Sequence, residues 1–150
     1  MRTRPRQLAI AAVVALLAII VAACDETTSS QRSQVVSLIN NERAKSGAAS
    51  LRQADDLNTK AGNWAAKMRN ECRLSHSKLS DGVTLKWSQL GENVAYGPSI
   101  PKTHSSLMNS PRHRANILKS SYNRVGVGVA SGQCGGYNVV YVAQVFANAR

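Results

Sequence analysis

The sequence has few aromatic residues and few acidic ones for its length. Aromatic side chains make up 5% of the 150 residues, and eight acidic residues stand against 19 lysines and arginines. A basic chain commonly binds nucleic acid, but this one has no dense run of lysine and arginine with interleaved aromatics. We therefore predict no nucleic-acid partner. Internal repeats and low-complexity tracts are absent as well, and the length indicates a single domain.

Sequence patterns of several enzyme classes are also missing. There is no His-Glu-x-x-His helix of zinc proteases, no Gly-x-Ser-x-Gly nucleophile elbow and no glycine-rich phosphate-binding loop. Gly126 and Gly128 lie in a valine-rich segment without the third glycine and the following helix of a dinucleotide site. The sequence therefore identifies no catalytic residue.

The first 23 residues have the order typical of a secretory signal peptide. Three arginines precede an uncharged apolar run from Leu8 to Ala23, which ends in small residues. A membrane span needs about 20 apolar residues. This run is shorter, so a cleaved signal at 1–23 is preferred over a span. Loss of the three arginines would leave a net charge of about +8, which favours contact with anionic lipids or acidic wall polymers.

Cys24 follows this run directly. Val21-Ala22-Ala23-Cys24 resembles a bacterial lipobox, whose cysteine is diacylated and becomes the mature N-terminus. An exposed free thiol is a liability outside the cell, so we predict lipidation of Cys24 rather than ordinary cleavage that leaves the thiol free. Residues 24–32 would form the lipidated cysteine and a polar tether, and 33–150 the folded domain. We expect the protein on the outer side of the cell membrane, held by its lipid anchor, or secreted.

Cys72 and Cys134 are the two remaining cysteines. In an oxidising compartment an even pair predicts a disulfide. Closing a loop of about 60 residues would stabilise the fold by roughly 4 kcal/mol in the chain-entropy model. The alternative is two buried thiols that never meet, and only geometry separates the two cases.

Hydrophobic periodicity predicts helices followed by strands. A helix is expected from Ser30 to Lys45, ended by Gly47, and a second one begins at Asp55. The second helix carries an apolar stripe at helical spacing, formed by Leu57, Ala61, Trp64, Ala65 and Met68. Further on we predict a loop at 73–90, a strand at 92–96, helical segments at 101–109 and from 110, strands at 125–129 and 139–146, and a turn at 132–136. Without strict βαβ alternation, this order indicates an α+β sandwich.

A series of motifs in fixed order resembles the CAP superfamily of cysteine-rich secretory, antigen 5 and pathogenesis-related 1 proteins, in its small exported bacterial branch. The motifs are Leu38-Ile39-Asn40-Asn41-Glu42-Arg43-Ala44, Leu74-Ser75-His76-Ser77, Gly91-Glu92-Asn93, Asn109-Ser110-Pro111-Arg112-His113-Arg114-Ala115-Asn116-Ile117-Leu118, Val125-Gly126-Val127-Gly128 and Tyr141-Val142-Ala143-Gln144-Val145-Phe146. The resemblance covers about residues 33 to 148. It implies a three-layer α-β-α sandwich.

The resemblance also implies a cleft lined by His76, Glu92 and His113. Histidine and carboxylate side chains suit a divalent metal such as zinc. Eukaryotic members carry a second acidic residue where this chain has Ser110, and a glycine is usual in place of Arg112. We place Ser110, Arg112 and Asn93 at the rim, where Arg112 would lower the pKa of His113 or attract an anion.

Three functions are compatible with this cleft. We favour non-catalytic binding of a lipid, a sterol-like molecule or a wall polymer by a monomer. The first alternative is a zinc-dependent hydrolase, in which Glu92 is either a ligand or a general base. The second is a structural polar cluster with a protein-interaction role, in which the three side chains fasten loops to the sandwich. The third histidine, His104, lies outside the motifs and is expected at the surface.

Overall fold

A computed structural model describes residues 28–150. Four helices and four strands follow one another along this part of the chain: α1 (28–45), β1 (Arg52–Gln53), α2 (Asp55–Glu71), β2 (Trp87–Gly97), α3 (Ile100–Asn109), α4 (Pro111–Leu118), β3 (Arg124–Cys134) and β4 (Tyr137–Ala149). The predicted signal peptide at 1–23 and the predicted lipidation at Cys24 lie outside the described residues. No helix within 28–150 combines the length and the apolarity needed to cross a bilayer.

The first two helices form for the reasons that the sequence indicates. Helix α1 buries Val35, Val36 and Ile39 on one face and ends at Lys45, and the turn that follows contains Gly47, whose φ of +75° suits a residue without a side chain. Its described part already includes 28–32, the end of the predicted tether. In α2, four of the five stripe residues are fully buried, and Trp64 packs against them half-buried. The predicted stripe is therefore confirmed.

The four strands form one mixed sheet in the order β1-β3-β4-β2. Strand β1 pairs parallel with β3, and β4 pairs antiparallel with both β3 and β2. The strands are longer than predicted. Strand β2 begins at Trp87, inside the predicted loop, and β3 continues to Cys134, so that the predicted turn at 132–136 narrows to Gly135 and Gly136. Antiparallel pairing with β4 extends both strands beyond the residues that alternate in hydrophobicity.

Two apolar cores lie on opposite faces of the sheet. One contains α1, α3 and α4 packed on residues such as Val127 and Phe146, and the other contains α2 packed on residues such as Ala143 and Val145. Gly126, Gly128 and Ala130 of β3 face α2, and a larger residue does not fit at Gly126 because its Cβ would lie 2.1 Å from the main chain of Leu57. The predicted α+β, α-β-α sandwich is confirmed.

The Cys72–Cys134 disulfide is present. The two sulfur atoms are 2.06 Å apart and join the C-terminal end of α2 to the end of β3, across 62 residues of chain. Cys72 adopts φ of +46° as the residue that ends α2, and its neighbour Arg73 donates its N–H to the Met68 carbonyl. The disulfide thereby fastens the start of the loop 73–86 to the sheet.

His104 is buried, and the prediction that it lies at the surface is wrong. Its exposed fraction is 7%, and it shares the inward face of α3 with Ile100, Thr103 and Leu107. That spacing of three and four residues is the signal that sequence reasoning overlooked. Neither ring nitrogen has a hydrogen-bond partner among the described residues. Burial lowers the pKa of His104, with a smaller opposing effect from Glu42.

Replacing Gly128 by alanine is expected to destabilise the fold. The new Cβ would lie 2.0 Å from the Ala61 carbonyl oxygen in α2, and a main-chain neighbour cannot move aside. We expect a loss of about 1–3 kcal/mol in urea unfolding followed by circular dichroism. Gly62→Ala is the matched control, since no described atom lies within 4 Å of a Cβ there. It should leave stability unchanged or raise it by up to about 1 kcal/mol. Equal losses in both variants would contradict the close packing.

Acidification is expected to destabilise the protein through His104. Because its pKa is lowered in the folded state, the unfolded chain binds more protons just below the ordinary histidine pKa of about 6.5. The contribution of neutral His104 to the free energy of unfolding is therefore fully present above that pH, and it is lost as the pH falls. Thermal melting at about pH 7 and about pH 5 should show a smaller decrease for His104→Leu than for the wild type. An identical decrease in both would exclude His104 as the cause.

Candidate functional site

The candidate site forms around β2, which is an edge strand of the sheet. Successive residues of a strand point to opposite faces. Glu92 therefore points toward the loop 73–86 on the α2 side, while Asn93 points toward α4 on the other side. Because no further strand within 28–150 covers this edge, the loop and α4 approach each other there. The edge brings together segments that are separated by about forty residues of sequence.

Glu92 holds His76 and its loop in place. Its carboxylate accepts hydrogen bonds from His76 Nδ1 at 2.8 Å, from the Ser77 main-chain N–H at 2.9 Å and from Ser77 Oγ at 2.5 Å. Only 4% of the Glu92 side chain is exposed, whereas 62% of His76 is. A hydrogen on Nδ1 leaves Nε2 as the unprotonated acceptor of a neutral imidazole. Nε2 is therefore the ring nitrogen of His76 that remains for a hydroxyl group or a metal ion.

The loop that carries His76 is also tied to one face of α2. Three side chains spaced four residues apart on that helix reach the loop. Asp56 accepts from the Thr84 and Leu85 N–H groups, Lys60 Nζ donates to the Lys78 and Asp81 carbonyls, and Trp64 Nε1 donates to the Ser75 carbonyl at 2.7 Å. Burial alone would raise the pKa of Asp56, but the hydrogen bonds from Leu85, Thr84 and Leu57 hold that pKa below its usual range. The loop is thus fixed at both ends.

Asn93, which we expected at the rim, is fully buried beneath the site. Its amide nitrogen donates to the His113 carbonyl at 3.0 Å and to Gln144 Oε1 at 3.1 Å, and its oxygen accepts from Asn116 Nδ2 at 2.9 Å. Asn116 Nδ2 also reaches the Glu92 carbonyl at 3.3 Å. This buried amide network positions α4, and with it His113, against the edge strand.

His113, on α4, lies within electrostatic range of His76. Burial lowers the pKa of His113, and the charge of His76 lowers it further. Its imidazole is therefore neutral at neutral pH. We expected Arg112 to lower this pKa, but burial and His76 are the causes. Arg112 itself is exposed. The Ser110 carbonyl accepts a hydrogen bond from the Arg114 N–H at 2.9 Å, in the first turn of α4.

Comparison with known families identifies the chain. The model of the cysteine-rich secretory protein (CAP) family matches residues 36–146. The chain belongs to the CAP family. This CAP domain is also 30% identical over 111 residues to the Bacillus subtilis (strain 168) protein YkwD, covering 68% of the chain but only 43% of YkwD. The chain therefore spans less than half the length of that relative.

Solved structures show the same fold. A cysteine-rich secretory protein from Staphylococcus aureus subsp. aureus Mu50 matches with a TM-score of 0.65 and 23% identity, over 82% of this chain and 40% of that one. An extracellular protein with an SCP domain from Bacillus anthracis str. Ames gives a TM-score of 0.68 and 21% identity, over 80% and 41%. An outer surface protein from Borrelia burgdorferi gives 0.62 and 18%, over 79% and 92%.

The residues of this CAP domain fit a metal ion only in part. His76 Nε2 and His113 supply two imidazole nitrogens, but Glu92 is already engaged by His76 and Ser77. Within residues 28–150, no group of three or more His, Cys, Asp or Glu side chains has an arrangement that could hold a metal ion. Glu92 is placed to orient His76 rather than to be a third ligand. A divalent metal at this cleft remains a prediction.

Sequence reasoning missed two residues that position the site. Arg43 is fully buried and donates to the Ile117 and Lys119 carbonyls at the end of α4. Asn116 links α4 to the edge strand. Both lie within the family motifs, where an arginine on the apolar face of α1 and an asparagine three residues after His113 were visible. Nothing in their spacing gives the partners, which come from distant parts of the chain.

Glu92→Gln is expected to loosen the loop that carries His76. An amide keeps one acceptor oxygen and adds a donor that faces the Ser77 hydroxyl, so charge-assisted hydrogen bonds are lost in a buried position. We expect a loss of about 1–3 kcal/mol and faster hydrogen exchange at the Ser77 amide. Glu71→Gln, at a surface ion pair with Lys67, should change neither. Unchanged exchange at Ser77 in Glu92→Gln would contradict the assigned role.

Proposed function

We propose that this CAP domain is a non-catalytic binding module of the cell envelope. Its ligand would be a lipid or wall polymer that presents hydroxyl groups, bound at the histidine cleft formed by His76, Glu92 and His113. The relatives' descriptions as secretory, extracellular and outer surface proteins are consistent with export. The predicted signal peptide and lipid anchor at Cys24 would place the domain next to such ligands.

The observation that carries this proposal is the environment of the two imidazoles. Glu92 accepts a hydrogen bond from His76 Nδ1, so Nε2 is the ring nitrogen that remains for a ligand, and 62% of the side chain is exposed. The lowered pKa of His113 keeps the second imidazole neutral. The neutral His113 imidazole, and Nε2 of a His76 ring that carries its hydrogen on Nδ1, can accept hydrogen bonds from hydroxyl groups or coordinate a divalent cation. A sterol-like hydroxyl and the hydroxyls of a wall polymer both meet this requirement.

The geometry of Glu92 favours binding over turnover. A general base needs a carboxylate oxygen with a lone pair facing the reacting water. Here one Glu92 oxygen accepts two hydrogen bonds, the other accepts one, and the carboxylate is buried. Releasing it would break the bonds that hold the His76 loop. We therefore place the zinc-dependent hydrolase second to the binding module.

The first test is binding by a double variant, His76→Asn/His113→Asn. The protein is mixed with phosphatidylglycerol vesicles, phosphatidylcholine vesicles and isolated cell walls, and the bound fraction is measured by sedimentation in low and in high salt. We expect retention on at least one material that survives high salt and falls about tenfold in the double variant. The matched control, Arg52→Gln, changes an exposed cation on β1 and should bind as the wild type does.

Two outcomes would contradict the proposal. Retention that disappears in high salt and is unchanged in the double variant would mean that the basic surface alone binds. Release of a soluble product from the walls, abolished by a chelator, would instead support the hydrolase. A zinc titration by calorimetry on the same two proteins separates a metal ligand from a hydroxyl ligand, because only the former gives one-site binding with zinc alone.

A further inference from the structure

A concave surface on the α2 side of the sheet is lined by residues other than those of the histidine cleft. This groove has a volume of about 690 Å³, which is within the usual range of about 300–1,000 Å³ for small-ligand sites. We call it the tyrosine groove. Its main lining consists of Tyr96, Tyr137, Tyr141, Leu74, Arg73 and the Cys72–Cys134 disulfide. His76, Glu92 and His113 do not line it.

Exposed apolar side chains concentrate in this groove. Among the described residues, four large hydrophobic side chains are exposed, namely Leu74, Trp87, Tyr96 and Tyr137. Three of them line the tyrosine groove, with 39% of Leu74, 54% of Tyr96 and 76% of Tyr137 open to solvent. Single exposed hydrophobic residues need no explanation, but a cluster in a concave surface indicates a binding site.

Two stacked tyrosine rings form the floor of the groove. The rings of Tyr96 and Tyr141 stack with their centroids 5.5 Å apart, and Tyr141 is buried. The Tyr141 hydroxyl lies 3.5 Å from Cys134 Sγ, so the ring is held against the disulfide. A preformed aromatic surface loses little conformational entropy when a ligand packs on it.

Charge on the groove wall has one sign. Of the residues between 28 and 150 that line the groove, Arg73 alone is charged. One guanidinium nitrogen lies 3.3 Å from Glu71 Oε2, and 66% of the side chain is exposed, which leaves further donors open. A planar guanidinium suits carboxylate or phosphate groups, to which it donates two parallel hydrogen bonds.

We propose that the tyrosine groove binds one or a few sugar rings of an acidic saccharide. A pyranose ring has an apolar C–H face that can pack on Tyr96 or Tyr137, and hydroxyls at its edge for the tyrosine hydroxyls and Asn138. Tyrosine provides both an apolar body and a polar end, as such a ligand requires. The Arg73 guanidinium donates hydrogen bonds to the acidic group of the saccharide. An acyl chain would instead favour an enclosed pocket of aliphatic side chains, whereas this groove is open and three of its twelve lining residues are tyrosines.

Calorimetry on the full chain tests this site with three probes. They are trigalacturonate, its methyl ester, in which the same rings carry no charge, and laurate as an acyl chain. We expect trigalacturonate to bind and its ester to bind about tenfold more weakly. Tyr137→Ala should weaken both saccharides about tenfold. Arg73→Gln should weaken only the acid, so that the two saccharides bind equally.

The controls use residues outside the groove. Trp87→Ala removes the remaining exposed hydrophobic side chain of the described residues, and Arg52→Gln removes a cation on β1; both should bind as the wild type does. Absence of trigalacturonate binding at millimolar concentration would overturn the proposal, as would equal binding of acid and ester by the wild type. Laurate binding that depends on Tyr137 in the absence of saccharide binding would also overturn it. Because the His76→Asn/His113→Asn variant should bind trigalacturonate normally, failure here is independent of the histidine cleft.

Discussion

The buried guanidinium of Arg43 is the contact on which the arrangement of the helical layer depends. It projects from the inward face of α1 and donates to four main-chain acceptors from separate segments: the carbonyls of Ala49, Ile117, Lys119 and Tyr122. Burial lowers its pKa, but an arginine keeps its charge in proteins. A buried charge is tolerated only when it is fully hydrogen-bonded. The planar fork of arginine meets this condition with carbonyl groups alone, which a lysine could not do in the same geometry.

This contact determines where the candidate site forms. Carbonyls at the C-terminal end of a helix carry partial negative charge, and Arg43 binds two of them at the end of α4. With that end fixed, the amides of Asn93 and Asn116 hold the rest of α4 against β2. His113 then has a single position relative to the edge strand. The Arg43 guanidinium on α1 thus helps to position the His113 imidazole through the end of α4.

The edge strand β2 serves both surfaces of the CAP domain. Its middle presents Glu92 to the loop 73–86 and Asn93 to α4, and its end presents Tyr96 to the tyrosine groove. The same loop begins at the disulfide that forms one wall of the groove and continues to His76. The two surfaces therefore share supports but differ in chemistry. One offers histidine ring nitrogens, and the other offers aromatic faces beside the Arg73 cation.

Much of the fold was visible in the sequence because local periodicity reports burial. Residues close to one another in the chain predict the apolar stripe of α2 and the glycines of β3 that let this helix approach. They also predict the bounds of α3 to within one residue and the start of α4. The lengths of β2 and β3 could not be predicted in this way, because pairing with β4 extends both strands beyond the residues that alternate in hydrophobicity. His104 was assigned to the surface because it lies outside the family motifs, and the helical spacing that places it inside was overlooked.

By itself, the sequence determined the family and the layer order and gave His76, Glu92 and His113 as candidates for the cleft, since short motifs and periodic patterns carry that information. Only the tertiary structure decided what those residues do to one another. It showed that Glu92 is committed to His76 and Ser77, that Asn93 lies beneath the cleft, and that Arg43 joins α1 to α4. It also gathered Tyr96, Tyr137 and Arg73 into one groove. Hydrogen-bond partners and grooves are formed by segments far apart in sequence, and no local pattern encodes which distant atom completes them.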